Sequence, residues 1–267
     1  MIVTSLQNQR VKNAIKLRGH RERKKQKQFV IDGIRELNHA VAGGVEFETL
    51  FVCRSLASPE ALKVLNVSGN HTVLETNEAV WEKLTFGNRN DGVLAVAKVE
   101  SRPIDSLKVS GSSPPLVVIL DQVEKPGNVG AVIRTADGAG ASAVIVTDAT
   151  GDLFNPNLIR ASLGTVFRMP VVSCSATEAI EWLDREGMAA VVARVGAESH
   201  YADVDLTQPV AIVVGSEAEG VGPAWHDEKF TAIGLPMNGF ADSLNVSTSA
   251  AVVMYEAVRQ RRSGSSQ

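Results

Sequence analysis

Three stretches of this chain hold side chains that could do chemistry. The first is Leu235-Pro236-Met237-Asn238-Gly239-Phe240-Ala241-Asp242-Ser243-Leu244-Asn245-Val246-Ser247, a polar loop running into an Ala/Val-rich segment that reaches Val258. Ser243 and Asn245 stand where that segment begins, and either could cap the helix it forms. The second runs from Pro126 to Thr135, with Asn128 and Arg134 placed about 1.7 helical turns apart. Arg134 could also be a plain exposed helical arginine. The third is Gly215-Ser216-Glu217-Ala218-Glu219-Gly220-Val221-Gly222. It lacks the Lys and Ser/Thr of a phosphate-binding loop, and its two carboxylates would repel phosphates. A neutral or cationic ligand approaching backbone amides suits it better; a flexible turn is the alternative.

These stretches need strands and helices to place them. From Leu116 onward, apolar runs at Leu116–Leu120, Ala143–Val146, Val171–Val172, Ala189–Ala193, Val210–Val214 and Ala232–Leu235 alternate with helical patterns. Such alternation predicts a parallel sheet covered on both faces, with ligands in the crevice at the strand carboxyl ends. A nicotinamide-dependent dehydrogenase would need G-x-G-x-x-G directly after its strand. Here a loop intervenes, and Gly127 and Gly130 have the wrong spacing.

The first hundred residues make a smaller α/β unit. A short amphipathic helix is expected from Asn8 to about Arg18, and Arg21–Gln28 reads as a basic loop or frayed turn. Strands at Phe29–Ile31, Thr49–Cys53, Thr72–Leu74 and Gly92–Val99 then alternate with helices from Arg35, Pro59 and Glu78. The Pro/Gly/Ser-rich run 101–115 has the composition of a linker. The expected organisation is therefore 1–100, a linker 101–115, a second domain 116–262 and a disordered tail 263–267.

Charge is divided unevenly as well. Residues 1–30 hold nine basic residues against Glu22 alone, a local charge of +8, so the rest of this −3 chain carries −11. A basic arm on an acidic body is the footprint of a polyanion partner; a solvated lysine-rich helix is the plain alternative. Cys53 and Cys174 are far apart and match no metal or redox spacing, which points to a reduced, cytoplasmic setting. No apolar run approaches the roughly 20 residues needed to span a bilayer, and no metal site is expected.

In this order, Asn128-Val129-Gly130 with Arg134-Thr135-Ala136, Val214-Gly215-Ser216-Glu217 with Gly220, and Leu235-Pro236-Met237 with Ser243-Leu244-Asn245-Val246-Ser247 resemble the SpoU–TrmH group of RNA ribose methyltransferases, within the SPOUT superfamily. A fourth stretch, Arg160-Ala161-Ser162-Leu163-Gly164-Thr165-Val166-Phe167-Arg168-Met169-Pro170-Val171, looks like the same family. The resemblance covers 116–262, and residues 1–100 are similar to its substrate-binding domain, with a ribosomal-protein-like RNA-binding fold. It implies an α/β fold whose C-terminal parallel-sheet domain closes in a deep trefoil knot, behind a smaller α/β RNA-binding domain. S-adenosylmethionine, with its sulfonium and ammonium, would then sit in the knot against Gly215, Gly220, Leu235, Met237, Leu244 and Asn245. Arg134, Asn128, Glu217, Ser243 and Asn245 would form the catalytic side. Arg10, Lys12, Arg21, Arg23, Lys24, Lys25 and Arg160 would contact RNA, either rRNA or tRNA. Two protomers would pair through the knotted domain, with Arg134 serving the partner's cofactor. A catalytically silent RNA-binding relative is the competing reading, which the presence of Asn128, Arg134, Glu217 and Asn245 together disfavours.

Overall fold

The computed structural model describes residues 2–67, 69–85, 91–109, 111, 113–148 and 152–264. The chain divides into two compact units, one made of 1–100 with 152–168 and the other of 101–151 with 169–267.

In the first unit the order is β1 (Ile2–Val3), α1 (Gln9–Lys16), α2 (His20–Gln26), β2 (Gln28–Asp32), α3 (Ile34–Ala42), β3 (Phe47–Val52), α4 (Pro59–Lys63), β4 (Thr72–Thr76), α5 (Glu78–Leu84) and β5 (Val93–Lys98). The sheet runs β1-β4-β3-β5-β2, antiparallel at β5 with both its neighbours and parallel elsewhere. Alternate residues of each strand serve opposite faces. Phe29, Ile31, Leu50, Val52, Val93 and Ala95 pack on one side. Val30, Phe51, Leu94 and Val96 pack with Val11, Leu17 and Trp81 on the other. Covered on both faces, β5 reads as a continuous apolar run from Val93 to Ala97. Helix starts are fixed locally: the side chains of Asn8, Ser58 and Asn77 accept backbone N–H groups at α1, α4 and α5.

The run 21–28 is not a loop. His20–Gln26 is helical, with Gln26 donating to Glu22 one turn back at 2.9 Å, and Lys27 ends it in the left-handed region at φ 52°. What orders it is Arg23, whose side chain is 2 % exposed. Its guanidinium donates to the carbonyls of Leu17 and Arg18 at 2.7 Å each, just beyond α1, and to Asp152 at 2.5 Å. Arg23, expected among the RNA contacts, is instead turned inward onto these partners, and at 2 % exposure its guanidinium is not presented to a phosphate in solvent.

In the second unit the chain passes through β6 (Leu116–Asp121), α6 (Pro126–Ala139) and β7 (Ala143–Thr147). It then makes the excursion 152–168, which carries α7 (Pro156–Ala161) and belongs with the first unit. It continues as β8 (Val171–Cys174), α8 (Ala176–Glu186), β9 (Ala189–Ala193), β10 (Val210–Val214), β11 (Thr231–Ile233) and α9 (Val246–Gly264). The six strands are all parallel, in the order β11-β9-β10-β6-β7-β8. β6 and β10 are neighbours, yet β6 leads toward β7 on one side while β10 leads back toward β11 on the other. That reversal is a topological switch point, where the strand ends leave a crevice.

Three expectations change. The 101–115 run contributes Ile104, Leu107 and Val109 to the core beside Trp182 and Val213, so it is packed rather than slack. Ser263 and Gly264 of the expected tail continue α9, while 265–267 lie outside the described residues. The excursion 152–168 packs within the first unit: Phe154 and Phe167 lie 4.5 and 5.9 Å from the Phe29 ring, centroid to centroid. Gly43 admits this approach, since a Cβ there would stand 2.2 Å from the Phe167 carbonyl oxygen.

Candidate functional site

The switch point gathers three loops. β6 ends at Asp121, whose carboxylate is fully buried and accepts the Thr147 hydroxyl at 2.6 Å and the Gly222 N–H at 2.7 Å. This pins the far end of the 215–222 loop to the strand beside it. Nothing local in the sequence marks Asp121, because its partners lie 26 and 101 residues away. The near end is a tight hairpin in which Ser216 N–H donates to Gly220 O at 2.8 Å and Gly220 N–H returns to Ser216 O at 3.0 Å. Gly215 is required there, because a Cβ would lie 2.1 Å from the Gly220 carbonyl. Gly220 itself sits at φ +70°, which L side chains rarely adopt.

The second wall is the stretch after β11, which ends at Ile233 rather than Leu235. Gly234 runs against Ser199 and Tyr201, with backbone hydrogen bonds of 2.8 and 3.2 Å. Between the two walls lies a cleft of about 750 Å³, within the usual range for small-molecule sites. Gly215, Glu217, Gly220, Leu235, Met237, Ser243 and Leu244 all line it.

At the start of α9, Asn245 acts as the cap: its side-chain oxygen accepts Ser247 N–H at 2.9 Å and the Ser247 hydroxyl at 2.6 Å. Ser243 is not the cap. The Asn245 amide nitrogen donates to Glu217 at 2.6 Å, and Asn128, in the first turn of α6, donates to the same oxygen at 3.0 Å. Lys125 pairs with the other Glu217 oxygen. Glu217 thus joins the ends of β6 and β10 to the head of α9. The Lys125 ammonium, ahead of the Asn128 and Asn245 hydrogen bonds, holds its carboxyl below the usual carboxylate range. Lys125 was not anticipated, since nothing local marks a lysine 92 residues from its partner.

Arg134 lies on the exposed side of α6, outside the cleft lining, and makes no hydrogen bond or ion pair among the described residues. Of the expected RNA contacts, Arg10, Arg21, Lys24 and Lys25 are exposed and Lys12 is half-buried. Arg160, half-buried on α7, already has an interaction of its own. Burial, with Glu178 and Asp148 nearby, pushes the Cys174 thiol up to about 12, so it is no nucleophile at neutral pH. Among the described residues no group of acids, histidines and cysteines is arranged to hold a metal ion. The site therefore offers amide and carboxylate groups around a fixed cleft, with a guanidinium on the adjoining helix.

The model of the SpoU rRNA Methylase family matches residues 115–255, and that of the MRM3-like substrate binding domain matches residues 8–95. The 23S rRNA (uridine(2479)-2'-O)-methyltransferase of Streptomyces viridochromogenes is 31 % identical, over 89 % of this chain and 84 % of that one. The crystal structure of the SpoU methyltransferase AviRb from the same organism, in complex with AdoMet, superposes with a TM-score of 0.88 at 28 % identity, covering 96 % of this chain and 99 % of its own. A crystal structure of an RNA 2'-O ribose methyltransferase gives 0.83 at 38 % identity, covering 98 % and 100 %.

Proposed function

This chain belongs to the SpoU rRNA methylase family, and on that premise we propose that it transfers the methyl group of S-adenosylmethionine to a ribose 2′-hydroxyl of ribosomal RNA. The observation that carries the reading is the junction of Asn128, Glu217 and Asn245 beside the cleft, which brings three separate sequence motifs to one place. The cleft fits the cofactor. Its lining mixes apolar Leu235, Met237 and Leu244 with the acids Glu198, Glu217, Glu219 and Asp242, a set suited to an adenosine body bearing cationic groups. When bound, S-adenosylmethionine supplies an electrophilic methyl on sulfur.

The backbone at Gly215, Leu235 and Leu244 would hold the cofactor, and Glu217, fixed by three donors, would keep the two loops in register. Arg134 would bind the ribose and the neighbouring phosphate. A neutral hydroxyl is a poor nucleophile. A guanidinium stays protonated at neutral pH, so its contribution would be to stabilise the alkoxide that develops as the 2′-proton passes to solvent water, while S-adenosylhomocysteine leaves. Ser243 lines the same cleft and would face the ribose. In this reading the segments 215–222 and 235–247 thread as a trefoil knot, and two chains pair through α6 and α9. Tyr255, 52 % exposed on α9 next to α6, supports that face. We place the enzyme in the cytoplasm; no helix among the described residues is long and apolar enough to cross a membrane.

The first unit would supply RNA affinity through Arg10, Lys12, Arg21, Lys24 and Lys25. Changing Arg21, Lys24 and Lys25 together to glutamine is expected to weaken RNA binding and flatten its salt dependence by about two in the log–log slope, as loss of three phosphate contacts requires. Melting should barely move. Arg23→Met should do the reverse, costing about 3–5 kcal/mol of stability, because it leaves the Asp152 carboxylate without its cation and two carbonyls without donors. Anisotropy titrations with ribosomal RNA at several salt concentrations, beside denaturant melts, separate the two.

Transfer of tritiated methyl from S-adenosylmethionine to ribosomal RNA, followed by nucleoside digestion, tests the activity. Label in a 2′-O-methylated nucleoside is expected; label in no RNA pool overturns the reading.

A further inference from the structure

The cleft lining is acidic but for one strong cation. Among the described residues that line it, Arg194 is the one lysine or arginine, against Glu198, Glu217, Glu219 and Asp242. Arg194 follows β9 directly, and its backbone N–H donates to the Ile233 carbonyl of β11 at 2.9 Å, so its Cα is tied to the sheet. Its side chain is held as well. One terminal nitrogen donates to the carbonyl of Trp225, whose indole is fully buried in the core. Its Nε is buried and has no acceptor among the described residues. A buried donor without an acceptor is uncommon and calls for a partner. A guanidinium locked by its own carbonyl contact loses little freedom when that partner arrives.

We propose that Arg194 is a cofactor-binding residue of this chain, and that its guanidinium receives the α-carboxylate of S-adenosylmethionine. The inference rests on the cofactor reading above and adds to it. Three acids of the cleft, Glu198, Glu219 and Asp242, answer the sulfonium and the ammonium, and they would repel the carboxylate unless a cation stood among them. Arg194 answers that third charge. A carboxylate offers two oxygens with several acceptor positions, which a guanidinium engages better than an ammonium does. Neither of the other two cations near the site supplies this: Arg134 lies outside the cleft lining, and Lys125 is already paired with Glu217.

Calorimetric titration of the full chain with S-adenosylmethionine and with its decarboxylated analogue tests the contact without any turnover. The wild-type chain is expected to bind the intact cofactor about tenfold or more tightly than the analogue, the scale of one charge-assisted pair. Arg194→Met should lose that factor for the intact cofactor and hold the analogue within about twofold. Arg194→Lys should recover part of the loss. Equal wild-type affinities for the two ligands overturn the assignment with no variant needed. So does an Arg194→Met chain that weakens both ligands alike, since the guanidinium would then serve the adenosine half or the fold of the cleft. A wild-type chain that binds neither ligand overturns the cofactor reading itself, and this assignment with it.

Discussion

Replacing Arg134 with alanine is expected to lower methyl transfer about a thousandfold, the range seen when a positioned proton-transfer or oxyanion-stabilising group is removed. The fold should not register the change. Arg134 is exposed and has no hydrogen bond or ion pair among the described residues, so its removal leaves no buried group unsatisfied. A surface change of this kind stays within about 0.5 kcal/mol. Cofactor affinity should also hold, because Arg134 is not part of the cleft lining. The loss should therefore fall on kcat and on the KM for RNA, with the melting curve and the S-adenosylmethionine titration unmoved. Arg134→Lys discriminates further. An ammonium keeps the charge but not the planar fork; near-wild-type transfer by the lysine variant would remove any specific role for guanidinium. Mixing the Arg134→Ala chain with a Glu217→Gln chain asks where Arg134 acts. If it serves the partner's cofactor, a mixed dimer holds one site with both native residues and one with neither, and transfer recovers; if it serves its own chain's cofactor, each site lacks one residue and transfer stays at the level of the homodimers.

How far the sequence told this in advance depends on the range of the interaction. The strands Ala189–Ala193 and Val210–Val214 and the helix Glu78–Leu84 could be read to the residue, because each depends on its own run of apolar side chains and on caps a few positions away. Glu217, Asn128 and Asn245 were legible as chemistry, and a resemblance to known motifs put them in one site. Their actual geometry was not. That Asn128 and Asn245 share one oxygen of Glu217, with Lys125 on the other, follows from where parallel strands end, and nothing in the local sequence encodes it. The basic arm shows the same limit from the other side. Charge counting treats Arg23 like Arg21 and Lys24, but Arg23 points into the unit and meets Asp152, 129 residues away. The excursion 152–168 was invisible for that reason too: Phe154 and Phe167 look like neighbours of β7 and β8, yet their partner is Phe29.

Glu217 then carries the second large effect. Glu217→Gln is expected to lower kcat about a hundredfold or more, on the scale of losing a positioned electrostatic group, and to weaken the cofactor as well. An amide in that place has one oxygen where the carboxylate has two, and its nitrogen would face the Lys125 ammonium or the Asn128 and Asn245 amides, all of them donors. Global stability should change little, because the carboxylate is partly solvated and surface pairs contribute little. The pH dependence gives an independent check. The folded carboxyl sits below its usual value of 4.5, first because of Lys125. The order it imposes is therefore complete above the ordinary carboxylate range and is lost only as pH falls through the lowered value. Lys125→Met removes the largest cause, so the acid edge of cofactor binding should move up toward 4.5 while the neutral plateau persists. An edge that stays in place would mean that Glu217 does not control the loop. Asn245→Ser separates the two tasks of the third partner. Serine still caps α9 but cannot reach Glu217 as the amide does, so helix stability should hold while transfer falls toward the level of Glu217→Gln. If transfer survived that change, the Asn245–Glu217 bond would be a by-product of capping, and the site would be organised by Asn128 and Lys125 alone.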